Sequence, residues 1–121
     1  SMTLEQRRGE VAMLDLNSNM ASMSLLEYHI GQWHINRNLI EGSSDIKQFD
    51  KLLEEVEELR LSLDGDLTPI DDLGDIMVVL INIAHRNNLT LHDCMAHAYD
   101  EIKERKGQMV NGLFVKERSK A

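Results

Sequence analysis

The chain has 121 residues, 42% hydrophobic and 28% charged, a balance that suits one soluble domain and excludes low-complexity disorder over most of its length. Thirteen Lys and Arg stand against 21 Asp and Glu, a net charge of −8, so neither a nucleic-acid backbone nor an anionic membrane is an expected partner. Aromatic residues supply only 4% and Pro occurs once, which biases the fold towards helix, and the single Cys94 excludes an internal disulfide or a Cys-based zinc cluster.

Residues 1–22 read as an N-terminal extension and residues 23–121 as one domain. Within the extension, Thr3 and Gln6 would cap a short helix over residues 4–14. No cationic-then-apolar segment opens the chain, and the longest apolar run, residues 76–84, is interrupted by Asn82 and too short to span a bilayer. A cytoplasmic location is expected.

From Ser24 the pattern turns helical. Leu25, Leu26, His29, Ile30, Trp33 and the stretch to Leu39 recur at three- and four-residue spacing, and Gly42-Ser43-Ser44-Asp45 ends the helix and caps the next. A second helix over residues 46–63 carries Phe49, Leu52, Val56, Leu59 and Leu63 on one stripe. Asp64-Gly65-Asp66 breaks it. Thr68 as N-cap and Pro69 at the first helical position start a third helix that reaches Arg86. This helix is apolar nearly all round from Ile76 to Ile83, which predicts burial on several sides, in a core or against a second subunit, and the third helix is the expected interface of an oligomer. Asn87-Asn88 ends it. Thr90 with Asp93 opens a fourth helix to Lys106, with Gly107 as its stop. Asn111-Gly112 between apolar pairs is a hairpin signal, and strands this short are expected to pack on the helices. The fold class is all-α: a four-to-five-helix bundle with a short C-terminal β-hairpin, oligomeric.

The chemistry concentrates in the second and third helices. In Glu54-Glu55-Val56-Glu57-Glu58, residues 54 and 58 lie about 40° apart around the helix and residues 55 and 58 about 60° apart, so three carboxylates share one face. Asp72 and Asp75 form a second acidic pair at the start of the third helix, with Gly74 between them and Asn82 seven residues on. Gly74 suggests close approach of a neighbouring helix or a phosphate, and a polar Asn82 in an apolar run needs a partner. Two antiparallel helices would bring the acidic pairs together as four oxygen ligands for a hard cation such as Mg2+. Without His or Cys at ligand spacing, zinc is disfavoured. A calcium EF-hand from Asp64 fails because positions six and twelve are Pro69 and Asp75, and no Glu-x-x-His pair supports a di-iron bundle. The bland alternative is a solvated acidic face.

The run from Lys51 to Leu59, with Asp72-Leu73-Gly74-Asp75 and Asn82, resembles the MazG-type all-α nucleoside triphosphate pyrophosphohydrolases. The resemblance covers residues 24–106, and the stretch from Lys106 to Gly112 is similar to phage-borne members. Two positions depart from the family pattern: Asp72 stands for a Glu, and Asp100 for an Asn. The resemblance implies Mg2+- or Mn2+-dependent cleavage of a nucleoside triphosphate to monophosphate and pyrophosphate. Glu55, Glu58, Asp72 and Asp75 would be the metal ligands, and Glu54 the catalytic acceptor of the water's proton. Asn82 would contact substrate, and Lys103 and Arg105 would hold the leaving phosphates. Trp33 offers a stacking face for the base, and Gln32 or His34 a hydrogen-bonding edge. A phage context suggests nucleotide-pool control, for instance dGTP to dGMP. A homodimer or homotetramer is expected. Two other classes stay open: a non-enzymatic helical dimerisation protein, and a metal-dependent hydrolase of another phosphate ester.

Overall fold

A computed structural model describes residues 22–118; the short helix expected over residues 4–14 lies outside them. Among the described residues the chain is mostly helical, with four helices and one antiparallel hairpin. They are α1 (Met23–Asn36), α2 (Asp45–Asp64), α3 (Ile70–Arg86), α4 (Leu91–Ile102), β1 (Gly107–Val110) and β2 (Leu113–Lys116). No described helix is long and apolar enough to cross a membrane. The chain falls into two compact units, divided after Leu91.

In the first unit, side chains start the helices and a repeated backbone device stops them. Ser22 Oγ accepts the Leu25 N–H at 3.1 Å, and Ser44 Oγ accepts the Lys47 N–H at 3.2 Å. The expected Thr68 cap on α3 is not formed. Pro69 is the N-cap and the helix begins one residue later, without a side-chain cap. At the other ends, Asn38, Asp66 and Asn88 all take left-handed φ near +57°, and a leucine follows each. The N–H groups of Leu39, Leu67 and Leu89 then bond back to the carbonyls of His34, Ser62 and Ala84, each at 2.9 Å. Three Schellman turns on Asn-Leu or Asp-Leu pairs therefore set the helix ends. For α1 this moves the stop from the expected Leu39 back to Asn36, because Asn38 tolerates the left-handed conformation through its short polar side chain.

Helix α3 is the centre of this unit, packing along α2 and against α1. Its Val79, Ile81 and Ala84 are the buried apolar residues. Between Ile76 and Ile83 every residue is buried or half-buried within the single chain. Exposed large side chains line the outer side of α2 instead, among them Ile46, Phe49, Leu53, Val56 and Leu63.

A buried polar network joins α1 to α3. His34 Nε2 donates to the Val78 carbonyl at 2.9 Å, which leaves Nδ1 of the neutral ring to accept from Asn82 Nδ2 at 3.2 Å. The same amide donates to the Leu39 carbonyl at 3.0 Å, and Asn82 Oδ1 accepts from Arg86 Nε at 3.1 Å. Arg86 also donates to the carbonyls of Leu39 and Ile40. Asn82 is fully buried with its donors and acceptor satisfied. Burial holds the His34 imidazole below its ordinary pKa; the Val78 bond opposes this and the nearby His85 adds to it.

In the second unit, α4 ends at Ile102, four residues before the expected Lys106. Gly107 is not the helix stop but the first residue of β1. A Cβ there would meet the Phe114 ring at 2.6 Å, so only glycine lets the ring lie across the strand. The hairpin itself is as expected, with Met109 opposite Phe114 and Val110 opposite Leu113. Asn111 and Gly112 take φ of 50° and 83°, the two positive values a type I′ turn needs. Packing of the strands on the helices is corrected: every residue of both strands is exposed.

Two outcomes follow for the network. Asn82→Ala leaves His34 Nδ1 without its donor and the half-buried Arg86 short of one partner, so urea unfolding should register a loss of about 3 kcal/mol with the native helical spectrum retained in water. Unfolded His34 takes up a proton near pH 6.5 while the folded ring resists, so the unfolded state binds more protons and stability falls as pH drops below that value. In His34→Gln that slope should be flatter across the same range.

Candidate metal centre

Helices α2 and α3 are joined by the five residues 65–69 and pack as a helical hairpin. That geometry carries the acid run of α2 to the start of α3. One carboxylate oxygen each from Glu55, Glu58 and Asp75 gathers within 4.8 Å of the others. Glu58 and Asp75 are exposed, but Glu55 is only 6% exposed. Its Oε1 lies 3.3 Å from Lys51 Nζ, and its Oε2 has no hydrogen-bond partner. A buried carboxylate oxygen left unpaired is costly unless a cation or a proton meets it.

The local electrostatics have the same sense. The charge of Glu55 pushes the Glu58 carboxyl above its ordinary pKa, helped by desolvation and the charge of Asp72; Lys51 opposes. The Lys51 ammonium is raised through its hydrogen bond to Glu55 and then by the Glu55, Glu54 and Glu58 charges. Oxygen donors at this spacing, one of them buried, are what a hard divalent cation takes.

Of the four expected ligands, three come together. Asp72 is outside the close cluster and acts on it through its charge on Glu58. Glu54 points to solvent, 3.8 Å from Lys51 Nζ. Glu57 faces elsewhere and is held by Arg60 at 2.5 and 3.1 Å. Gly74 is corrected: a Cβ there would meet nothing within 4 Å, so no neighbouring helix comes close.

On α1, Gln32 and Trp33 line an open concavity of about 490 Å3 with His29, Asn36 and Arg37. Trp33 is 43% exposed, so it is a surface residue and not core. The Arg37 guanidinium sits 4.3 Å over its ring. His34 is corrected as a hydrogen-bonding edge for a base: it is buried and both ring nitrogens are taken. Asn82 is corrected as a substrate contact for the same reason, since its amide is spent inside the core. Lys103 and Arg105 belong to the second unit, where Lys103 pairs with Asp100 at 2.6 Å and Arg105 lines a charged concavity with Glu104 and Lys116. Arg37 was missed from the sequence, although its place four residues after Trp33 is the spacing that stacks two side chains on a helix.

No family model matches the chain, and no solved structure matches it. A curated protein of Haemophilus phage HP1 (strain HP1c1), described as an uncharacterized 18.2 kDa protein in the rep-hol intergenic region, is 38% identical over 72 residues. The matched stretch covers 58% of this chain and 44% of that protein.

Repulsion around Glu58 predicts a stability signature. In metal-free buffer at neutral pH, Glu58→Gln should melt above the wild type. The advantage should shrink as pH falls, because the folded Glu58 carboxyl protonates before the unfolded one and so removes its own repulsion. Glu57→Gln, which loses an ion pair to Arg60, should show no such gain in thermal melts.

Proposed function

We propose that this chain hydrolyses nucleoside triphosphates to monophosphate and pyrophosphate with Mg2+ or Mn2+, as the resemblance to the MazG-type enzymes implies. The observation that carries the reading is the cluster of Glu55, Glu58 and Asp75 with its buried, unpartnered Glu55 oxygen. A divalent cation there supplies positive charge for a triphosphate in an otherwise acidic surface and makes a bound water more acidic. Glu55, Glu58 and Asp75 would hold it, with Asp72 alongside. Glu54, exposed and 3.8 Å from Lys51 Nζ, would accept the water's proton. Trp33 would stack on the base, with Gln32 on its edge, and the Arg37 guanidinium would shift to admit it. The roles of Lys103 and Arg105 on the leaving phosphates stand on the sequence alone. The active form would be a homodimer or homotetramer, and in a phage setting, such as that of the uncharacterized relative, the reaction would serve nucleotide-pool control, for instance dGTP to dGMP.

A second reading, a non-enzymatic dimerisation protein, draws on the exposed apolar side chains of α2 and the hairpin. Products decide between the two. Incubation with each common NTP and dNTP plus Mg2+ should give monophosphate and pyrophosphate on chromatography. Release of orthophosphate instead would point to a hydrolase of another phosphate ester, and no turnover of any nucleotide would favour the dimerisation protein.

The ligand set has its own test. Glu58→Gln and Asp75→Asn should keep the fold and lower turnover by at least about 100-fold, since a metal-assisted step is worth several kcal/mol and each 1.36 kcal/mol is tenfold. Glu57→Gln should leave turnover near the wild-type rate. If Glu57→Gln and Glu58→Gln prove equally harmless, the cluster is only a solvated helix face.

A further inference from the structure

Helix α2 places a base among its acids. Lys51 precedes Glu55 by four residues and Glu58 by seven, so all three lie on one face of the helix, with Glu54 beside them. The Lys51 ammonium is 3.3 Å from Glu55 Oε1 and 3.8 Å from Glu54 Oε2. Among the described residues it is the one cation paired with a member of the Glu55, Glu58 and Asp75 cluster. Arg60, the next base along the helix, is turned to Glu57 and Asp64.

A lysine in this place either orients Glu55 as a ligand or supplies positive charge, and burial separates the two roles. Glu55 is buried and held by its packing. The Lys51 side chain is 53% exposed, on a flexible four-carbon stem. The carboxylate is fixed and the ammonium is free to leave, so charge is what Lys51 brings. That charge offsets the repulsion among Glu54, Glu55 and Glu58, which otherwise works against the helix. It also stands in the way of a second cation. Glu55 Oε2 has no partner, yet an ion reaching it meets the ammonium on the other oxygen of the same carboxylate. Even with the full screening of water, one positive charge about 6 Å from a divalent cation weakens its binding about tenfold.

We propose that Lys51 is the resident counter-ion of the cluster, which a divalent cation has to displace, so that Lys51 keeps the acids together without metal and lowers the metal affinity of the site. The ammonium swings out to solvent as the ion arrives, and the Glu55 carboxylate exchanges one cation for another. This rests on the metal reading of the cluster and not on nucleotide hydrolysis.

The test reads Mn2+ binding by the full chain, from the loss of the free-ion electron paramagnetic resonance signal in low-salt buffer at neutral pH. The wild type should bind, and Glu58→Gln should bind more weakly, which locates the ion. Lys51→Met and Lys51→Gln should each bind about tenfold more tightly than the wild type, and Lys51→Arg, which keeps the charge, should stay near it. Lys47→Met loses the same charge one turn away, from an exposed side chain, and should change the affinity by less than about twofold. Melting gives a second signature: without metal Lys51→Met should melt below the wild type, and Mn2+ should raise its melting temperature by more than it raises that of the wild type. Weaker or unchanged binding by both Lys51→Met and Lys51→Gln would overturn the proposal. So would equal tightening in Lys47→Met, which would reduce the effect to net charge. A wild type that binds no Mn2+, or binds it regardless of Glu58→Gln, would overturn the metal reading itself and this inference with it.

Discussion

The buried contact among His34, Asn82 and Arg86 is the constraint on which the first unit depends. Few apolar side chains are fully buried, so the apolar core alone specifies little about how α1 sits on α3. The polar contacts do specify it. A hydrogen bond has direction and length, and a buried one left unmade costs more than a methyl group slightly misplaced. One register lets Asn82 reach the Leu39 carbonyl, His34 Nδ1 and Arg86 at once. The Schellman turn at Asn38 is part of the same solution, since it turns the Leu39 carbonyl towards α3.

Fixing Asn82 inward also fixes Asp75. Seven residues are close to two full helical turns, so the two side chains lie on nearly the same face, about 20° apart. The rotation of α3 that buries the amide brings the carboxylate to the α2 side of the helical hairpin, within 4.8 Å of the Glu55 and Glu58 oxygens. The acidic cluster therefore rests on a network that contains none of its members. Its repulsion works against the fold, and the network and the α2–α3 packing hold the acids together despite it. Such local conflict between stability and arrangement is where chemistry is usually found.

The two units differ in how they meet water. The first is acidic and buries a polar and apolar interior around α3. The second is neutral, and its described residues bury little among themselves. Its hairpin is nevertheless sharply defined at the backbone, because the Asn111-Gly112 turn and the Phe114 ring over Gly107 set register locally.

The sequence by itself determined whatever depends on neighbours in the chain. The helical pattern, the Asn-Gly turn, the Ser44 cap and the acids shared by one face of α2 all follow from spacing and side-chain type. It left the helix ends short of resolution at α1 and α4, because Asn38-Leu39 does not announce a stop as glycine does, and because a strand beginning at Gly107 reads like a helix cap. Which polar residue is core and which is site was a tertiary decision. Asn82 and His34 have the residue types of a substrate pocket, yet their donors and acceptors match each other across 48 residues and close the core. Trp33, of a type that more often enters a core, stays at the surface under Arg37. Glu55 and Glu58 are three residues apart in sequence, but only packing against α3 buries one and leaves the other in water. Burial depends on what stands opposite a helix face, and local sequence carries no record of that.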